Sequence, residues 1–236
     1  MSSSDLRFRI PLYTIKQVAG LVDVPSSTLA RWVQGAKSDD QVGATAPIVT
    51  RLPPERPRYP CIPFVGLVEA VVIAAVRKSG VPMQRIRPAL GALEQKIGLA
   101  HALASRRLYT DGAELLYDYA DSQRDPRESQ VVKRLVSIRS GQGVFTEAVM
   151  DFLRRIEYAA DGYAVRVGVP AFAKAEVIAD PERSFGSPIF VRGGCRVDDV
   201  LDRFWAGESL TDLVGEFGVP LEQLEDVVRV TSRRAA

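Results

Sequence analysis

Three hydroxyl-bearing residues and one arginine stand close together in the stretch VDVPSSTLARW. They are Ser26, Ser27, Thr28 and Arg31. Hydroxyl groups at the start of a helix can bond phosphate oxygens, and an arginine can reach a phosphate or the edge of a guanine. This group therefore predicts contact with nucleic acid, although Arg31 taken alone fits a solvated surface charge equally well.

A second group of reactive side chains is acidic and consists of Asp198, Asp199 and Asp202. A metal-dependent nuclease needs carboxylates that converge on one cation from separate elements. Here all three carboxylates open a single predicted helix, where negative charge is favoured by the helix dipole. We therefore predict that the chain is not an enzyme, with metal-dependent hydrolysis as the alternative.

The remaining candidates for catalysis or metal binding are few. His101 is the single histidine, and no nucleophile pattern accompanies it, which favours a surface residue. Cys61 and Cys195 are too few and too far apart for a zinc cluster. Free thiols are typical of the cytosol, so the sequence predicts a cytoplasmic protein with no metal and no cofactor.

Charge is distributed unevenly along the 236 residues. Residues 1–140 carry 20 Lys and Arg against 13 Asp and Glu, a net charge of +7, whereas residues 141–236 carry 11 against 16, a net charge of −5. A basic half suits a polyanion such as nucleic acid, and an acidic half does not. The sequence contains no apolar run of about 18 residues, so no membrane span is predicted.

Ser26, Ser27 and Thr28 lie on a corner between two predicted helices, and the sequence contains three such corners. Each corner has an apolar residue, a second small or apolar residue four positions later, a turn residue after four more, and a buried residue six further on. These positions are Ile15, Ala19, Asp23 and Leu29, then Val72, Val76, Gly80 and Ile86, and then Leu210, Val214, Gly218 and Leu224.

The faces predicted to be exposed differ between the three corners. The second offers Arg85 and Arg87 but follows a helix that is apolar nearly all round, which favours a structural role. The third is predicted to expose carboxylates that would repel phosphates, which favours a protein contact. Its polar residues are Glu222, Gln223, Glu225 and Asp226.

The remaining pattern predicts an α+β protein that is mainly α. Short strands around "PPE" (IVTRL and RPRYPCI) would form a wing that follows a loop over residues 35–47, and RRLYTDGAELLYDYA would form a β-hairpin around Thr110-Asp111-Gly112. VVKRLVSI, YAVRVGV, AEVIA and PIFVRGGCRV are predicted strands. FTEAVMDFLRRIEYA is predicted as a helix with an apolar stripe over residues 145–156, which would be shorter if Thr146 is its N-cap. Helices capped at Gly207 and Ser209 would close the chain.

Two segments resemble known families. YTIKQVAGLVDVPSSTLARWV, the basic run ending in RYP, and LVEAVVIAAVRKSGVPMQRIRPAL resemble the winged-helix domain of MerR-type regulators over residues 11–100. Residues 184–230 are similar to a helical, antitoxin-associated domain of unknown function (number four-three-three). The combination resembles VapB-type antitoxins, which implies a PIN-domain ribonuclease toxin as partner, operator DNA, and a homodimer that represses its own operon.

Carried over position by position, the MerR resemblance implies that seven residues contact DNA. They are Ser26, Ser27, Thr28 and Arg31 on the helix and Arg51, Arg58 and Tyr59 on the wing. The organisation implied is a DNA-binding domain over 1–104, a mixed β/α connection over 105–180 and a helical antitoxin-associated domain over 181–236. The alternative is a stand-alone MerR-like regulator that answers a small ligand through residues 105–180.

An acidic, metal-binding toxin site would attract arginines, because a guanidinium stays charged and forks onto carboxylates. Trp is also enriched at the centres of protein interfaces. We therefore predict toxin contacts from the turn and tail arginines and from one tryptophan. These residues are Arg192, Arg196, Trp205, Arg229, Arg233 and Arg234.

Overall fold

The structure is a computed structural model, and it describes residues 3–35, 46–80, 82–123, 126–139 and 142–235. Helices dominate it, and a small antiparallel sheet lies in the second half of the chain. The helices are α1 (Ser3–Phe8), α2 (Ile15–Leu21), α3 (Ser26–Gln34), α4 (Phe64–Lys78), α5 (Met83–Ile97), α6 (Arg106–Ser122), α7 (Pro126–Lys133), α8 (Glu147–Leu153), α9 (Val197–Trp205), α10 (Leu210–Phe217) and α11 (Leu221–Ala235). The strands are β1 (Val136–Arg139), β2 (Gln142–Phe145), β3 (Ile156–Tyr158), β4 (Ala164–Gly168), β5 (Val177–Ala179) and β6 (Ile189–Phe190).

The central element is α4, whose residues from Phe64 to Val76 are all buried. This confirms the prediction made from its nearly uniform apolar sequence, because a helix without a polar face is stable only inside a core. α1 and α8 pack against it. The prediction of an α+β protein that is mainly α is therefore confirmed.

The strands form two antiparallel units. β1 and β2 pair as a hairpin with Val136 opposite Phe145, and β3, β4, β5 and β6 follow one another in a four-stranded sheet. Three of the predicted strands, YAVRVGV, AEVIA and PIFVRGGCRV, supply β4, β5 and β6. Short alternating runs bounded by glycine and proline thus located this sheet correctly.

The hairpin predicted around Thr110-Asp111-Gly112 is wrong, because these residues lie inside the 17-residue helix α6. Leu108, Gly112 and Leu116 are buried at intervals of four along it. A Cβ added at Gly112 would lie 3.0 Å from Leu108 Cδ1 and 3.2 Å from Phe145 Cζ. The glycine therefore makes room for the β1–β2 hairpin that packs on α6, and does not mark a turn.

Two further boundaries differ from the prediction. The residues VVK of VVKRLVSI end α7, and the strand begins only at Val136. The helix predicted over residues 145–156 is α8, which ends at Leu153, and Ile156 begins β3 with its side chain buried. At both boundaries the apolar residues could be buried either in a helix or in a strand. Their hydrophobicity therefore did not show where the helix ends and the strand begins.

Long-range polar contacts tie the first 13 residues to the segments that connect the strands of the sheet. The guanidinium of Arg7, which is buried, donates to both carboxylate oxygens of Asp161 at 3.2 and 2.5 Å. The hydroxyl of Tyr13, also buried, donates to the carbonyl of Gly186 at 2.8 Å. Among the described residues, no helix is long and apolar enough to cross a membrane.

Candidate functional site

The first corner folds as a helix–turn–helix, as predicted. Thr14 caps α2 through a reciprocal pair of hydrogen bonds with Gln17, at 2.9 Å (Thr14 N to Gln17 Oε1) and 3.2 Å (Gln17 N to Thr14 Oγ1). Asp23 then adopts a left-handed backbone with a φ of 58°. This reverses the chain within a few residues, so that Val24 N–H returns to the carbonyl of Ala19 at 3.0 Å.

α3 separates a buried face from an exposed one. Leu29, Trp32 and Val33 are buried. Ser26, Ser27 and Arg31 are exposed, and Thr28 is half-buried. No side chain caps the start of α3, which follows Pro25. Its first N–H groups are therefore available to an anion together with the hydroxyls.

The two strands predicted for the wing are absent from residues 46–63, which the structure describes without a β-ladder. Prolines explain the difference, because four of the eight residues from 53 to 60 lack the N–H group that a ladder requires. One backbone hydrogen bond joins the two predicted strands, from Leu52 N to the carbonyl of Cys61 at 2.8 Å. Residues 36–45 of the predicted loop lie outside the described residues.

Hydrogen bonds nevertheless hold residues 46–50 against the end of α3. The carbonyl of Trp32 accepts from Ile48 N at 2.8 Å and from Val49 N at 3.2 Å. Arg87, on α5, donates to the carbonyl of Ala46 at 2.6 Å and, less closely, to that of Arg31 at 3.5 Å. Burial lowers the pKa of Arg87. These bonds hold residues 46–50 beside the end of α3, and we call residues 46–60 the basic segment.

Arginines give the basic segment its charge. Arg51, Arg56 and Arg58 are exposed, and so is Tyr59, whose ring lies 5.9 Å from the Arg56 guanidinium. Neither these three arginines nor Arg31 of α3 pairs with a carboxylate among the described residues. Four exposed arginines without a carboxylate partner in the described structure thus lie on α3 and the basic segment, which suits phosphate binding.

A buried glutamate, which the sequence reading did not single out, anchors the base of this segment. Glu69 is 5 % exposed on α4 and accepts from Thr50 N at 2.6 Å and from Thr50 Oγ1 at 3.0 Å. His101 Nδ1 lies 3.2 Å from the same carboxylate, so this histidine is a half-buried partner and not the surface residue predicted. The sequence signal for Glu69 was its place as the only carboxylate of α4, with apolar residues on both sides. Burial, followed by the nearby charge of Glu69, raises the pKa of Glu94 on the adjoining α5.

The third corner forms as predicted, but half of its predicted acidic face is buried. Gly218 ends α10 with a φ of 65°, and α11 follows. Glu222 and Glu225 are exposed, whereas Gln223 is 9 % exposed and Asp226 is 0 % exposed. The prediction that all four residues face solvent is therefore wrong for Gln223 and Asp226.

Asp226 is buried because it binds the loop before β5. Its Oδ2 accepts from the backbone N–H groups of Lys174 at 2.6 Å and Ala175 at 3.0 Å, and its Oδ1 accepts from Arg229 at 2.5 Å. Burial by itself raises the pKa of Asp226, but the hydrogen bonds from the two amides and from Arg229 outweigh it and hold that pKa below its usual range. The carboxylate is therefore a structural acceptor.

The predicted partner-binding residues do not gather at one point. Arg192 and Arg233 are exposed, and Arg229 pairs with Asp226. Trp205 is 57 % exposed at the end of α9 and stacks edgewise on Phe204 at 5.0 Å. Arg196 precedes α9, so about 13 Å of helix separates it from Trp205. The side chain of Arg234 lies outside the described residues.

The acidic cluster occupies the first turn and a half of α9, as predicted. Arg196 lies 3.6 Å from Asp198 and 3.9 Å from Asp199, and each of these two carboxylates is more than half exposed. Within the described part of the chain, no group of three or more His, Cys, Asp or Glu side chains could hold a metal ion. Cys61 and Cys195 are free thiols, the first buried and the second half-buried.

These features define a helix–turn–helix protein with exposed hydroxyls and arginines on α3 and the basic segment, and with three helices, α9 to α11, at its C-terminal end. The family model described as "Putative DNA-binding HTH domain" matches residues 11–90. The chain is 40 % identical to "Putative antitoxin VapB45" of Mycobacterium tuberculosis over 95 % of each sequence. The chain therefore belongs to the same family as that protein.

A solved structure and a second curated protein, both from Mycobacterium tuberculosis, are also similar to the chain. The crystal structure of Rv2018 superimposes with a TM-score of 0.82 at 42 % identity, covering 94 % of this chain and all of the other. The uncharacterized protein Rv2308 is 28 % identical, over 94 % of this chain and 90 % of its own. The similarity thus extends across both halves of the molecule and is not confined to the helix–turn–helix.

Proposed function

We propose that the protein is the antitoxin of a type II toxin–antitoxin module, with one end that binds operator DNA and another that binds and inhibits a ribonuclease. The observation that carries the DNA-binding half is the cationic face of α3 and the basic segment, whose four arginines have no carboxylate partner in the described structure. The antitoxin half is supported by full-length similarity to a relative that is named an antitoxin.

For the DNA-binding half, the proposed contacts come from α3 and the basic segment. The uncapped start of α3 and its hydroxyls would bind phosphates, and Arg31 would reach a base edge or a phosphate one turn further along the helix. A homodimer would place two such helices on two half-sites of an operator. The DNA-binding residues proposed are Ser26, Ser27, Thr28, Arg31, Arg51, Arg58 and Tyr59.

For the inhibitory half, the proposed partner is a cytoplasmic PIN-domain ribonuclease with an acidic, metal-binding active site. Arginines would fork onto its carboxylates, and Trp205, exposed at the end of α9, would insert between apolar side chains. The protein would inhibit by occupying the active site and would itself catalyse no reaction. The toxin-binding residues proposed are Arg192, Arg196, Trp205, Arg229, Arg233 and Arg234.

The DNA-binding proposal is tested by fluorescence anisotropy with the DNA upstream of the protein's own gene. Arg31→Ala should weaken binding by about 1–3 kcal/mol if Arg31 reads a base, and should lower the salt dependence by about one ion if it contacts a phosphate. Arg183→Ala is the matched control, because Arg183 is also exposed and lacks a carboxylate partner in the described structure but lies in the second half of the chain. Equal binding by wild type and Arg31→Ala would remove Arg31 from the interface.

The antitoxin proposal is tested by co-expression with the product of the adjacent reading frame. A stable complex and loss of RNA cleavage on adding the protein are expected if that product is a PIN-domain ribonuclease. Trp205→Ala should weaken the complex, whereas Phe217→Ala would test general damage to the three-helix unit. A purified pair that neither associates nor changes the rate of RNA cleavage would refute this half of the proposal while leaving DNA binding intact.

A further inference from the structure

The last turn of α3 takes hydrogen-bond partners from the basic segment. Carbonyl groups in the last turn of a helix have no N–H partner within the helix and carry a partial negative charge. The carbonyl of Trp32 accepts from the amides of Ile48 and Val49, at 2.8 and 3.2 Å. Trp32 and Val49 are each 2 % exposed, so these bonds lie inside the protein. The backbone of residues 48 and 49 is therefore attached to α3 itself.

Arg87 joins the same two elements from α5. Its Nη1 donates to the carbonyl of Ala46 at 2.6 Å, and its Nη2 approaches the carbonyl of Arg31, on α3, at 3.5 Å. Arg87 is half-buried and pairs with no carboxylate among the described residues. Both terminal nitrogens thus face main-chain oxygens, so the protein's own backbone orients this guanidinium.

Glu69 holds the other end of the same five residues. Its carboxylate, on the buried helix α4, accepts from Thr50 N at 2.6 Å and from Thr50 Oγ1 at 3.0 Å. Hydrogen bonds to an ionised acceptor are stronger than those between neutral groups. Arg51, whose side chain is exposed, follows Thr50 directly. The chain therefore reaches this arginine from a fixed point in the core.

We propose that Arg87 and Glu69 are positioning residues for DNA binding, an inference that rests on the proposed DNA-binding function. They hold residues 46–50 in one arrangement before DNA arrives, without contacting DNA themselves. Arg51 is then presented beside α3 with a smaller loss of conformational entropy on binding. Without these two side chains, the segment has to be ordered at the moment of binding, which weakens the affinity.

The salt dependence of binding separates positioning from contact. An arginine that contacts a phosphate displaces counterions, so its removal lowers the slope of log K against log salt concentration by about one. Removal of a positioning residue leaves the phosphate contacts in place. Arg87→Ala should therefore weaken binding without changing this slope, unlike the loss of an arginine that binds phosphate.

The test is fluorescence anisotropy of the full-length protein at several salt concentrations, with the DNA upstream of its own gene. Arg87→Ala should weaken binding about threefold to tenfold, as expected when one more long side chain has to be ordered on binding. Arg87→Lys keeps one donor for Ala46 and should restore part of the affinity. Glu69→Gln leaves one oxygen where two accepted, so it should also weaken binding with an unchanged slope. Arg77→Ala is the matched control, because Arg77 is exposed in the last turn of α4 and should leave the affinity unchanged.

A second measurement needs no DNA. Amide hydrogen exchange of the free protein, followed by nuclear magnetic resonance, should be faster in Arg87→Ala at Ile48 and Val49, because their segment has lost a tie to α5. The amide of Val18, which bonds to Thr14 within the first corner, should keep its protection. Circular dichroism checks that each variant folds, and Arg87→Gln takes the place of the alanine variant if that one does not.

Three outcomes would overturn the proposal while leaving DNA binding intact. Equal binding by the wild type and a folded variant would remove that residue from the positioning role. A slope lower by about one in Arg87→Ala would make Arg87 a phosphate contact instead. Unchanged exchange at Ile48 and Val49 would show that Arg87 does not order the segment. Absence of DNA binding by the wild type would instead refute the proposed function, and this inference with it.

Discussion

The hydrogen bonds of Asp226 predict a large loss of stability when this side chain is truncated. Asp226→Ala removes the acceptor of two backbone N–H groups, those of Lys174 and Ala175, from a site that is 0 % exposed. A hydrogen bond to a charged group contributes about 1.5–3 kcal/mol, but the N–H of exposed Lys174 can regain water. We therefore expect a loss of about 3 kcal/mol in the free energy of unfolding.

For a chain of this length, that loss corresponds to a decrease of about 6–12 °C in the unfolding temperature. Urea titration followed by circular dichroism measures the free energy, and thermal unfolding measures the temperature. Asp226→Asn should lose less, because its amide oxygen can still accept from the backbone. Glu225→Ala is the control, since Glu225 is exposed on the same helix and should change stability by less than about 0.5 kcal/mol.

The result that would refute this reasoning is a loss in Asp226→Ala no larger than that in Glu225→Ala. It would mean that the loop before β5 keeps its conformation without the carboxylate. A large loss in Asp226→Ala together with a small one in Asp226→Asn would instead identify the acceptor geometry, and not the negative charge, as the stabilising feature. Comparison of the two variants thus separates hydrogen bonding from electrostatics.

Three further predictions concern pH, packing and a long-range hydrogen bond. Folding lowers the pKa of Asp226, so its contribution to the free energy of unfolding should be full above the ordinary aspartate pKa of about 3.9 and should decline as the pH falls towards the folded pKa. Urea titrations between pH 6 and pH 3 should therefore show a shallower decline of this free energy in Asp226→Asn than in the wild type. Gly112→Val should destabilise by about 1–3 kcal/mol through overpacking, whereas Gly91→Val, with open space around its Cβ, should change urea-measured stability by less than about 0.5 kcal/mol; equal effects would contradict the packing of α6. Tyr13→Phe removes the hydrogen bond to Gly186 and should lower the free energy of unfolding by about 1 kcal/mol in the same urea assay. An unchanged free energy would show that this bond makes no net contribution to stability.

Local signals predicted the helices that flank the candidate DNA-binding face. Thr14 and Gln17 form their capping bonds within four residues, and the buried spacing of Leu29, Trp32 and Val33 lies within one short helix. Such features depend only on neighbours in the sequence. The hydroxyls and Arg31 could therefore be placed on the outer face of α3 before the fold was known.

Features fixed by distant residues were not predicted in the same way. Gly112 resembled a turn residue because its packing partner, Phe145, lies 33 positions further along the chain. Asp226 resembled an exposed acid because its acceptor role depends on the amides of residues 174 and 175. Glycine and aspartate are common both in turns and at special buried positions, so residue type alone did not distinguish the two environments.

The three corners show how one backbone geometry supports different roles. Their turn residues, Asp23, Gly80 and Gly218, all have a positive φ, of 58°, 79° and 65°. An aspartate in this conformation is less favourable than a glycine, yet the corner forms in each case. The backbone reversal therefore does not identify a nucleic-acid site, and the residues displayed beyond it must decide the role of each corner.

Each corner uses those residues differently. After the second corner, Arg87 donates to backbone carbonyls at Ala46 and Arg31, so its charge holds the basic segment against α3. After the third, Asp226 faces inward to the sheet loop, and the residues left outside are the carboxylates of Glu222 and Glu225. The side chain of Arg85, the other arginine predicted on the second corner, lies outside the described residues. Since carboxylates repel phosphates and Arg87 is committed to the backbone, the first corner has, among the described side chains, the face best suited to DNA, and Arg87 ties the basic segment to it.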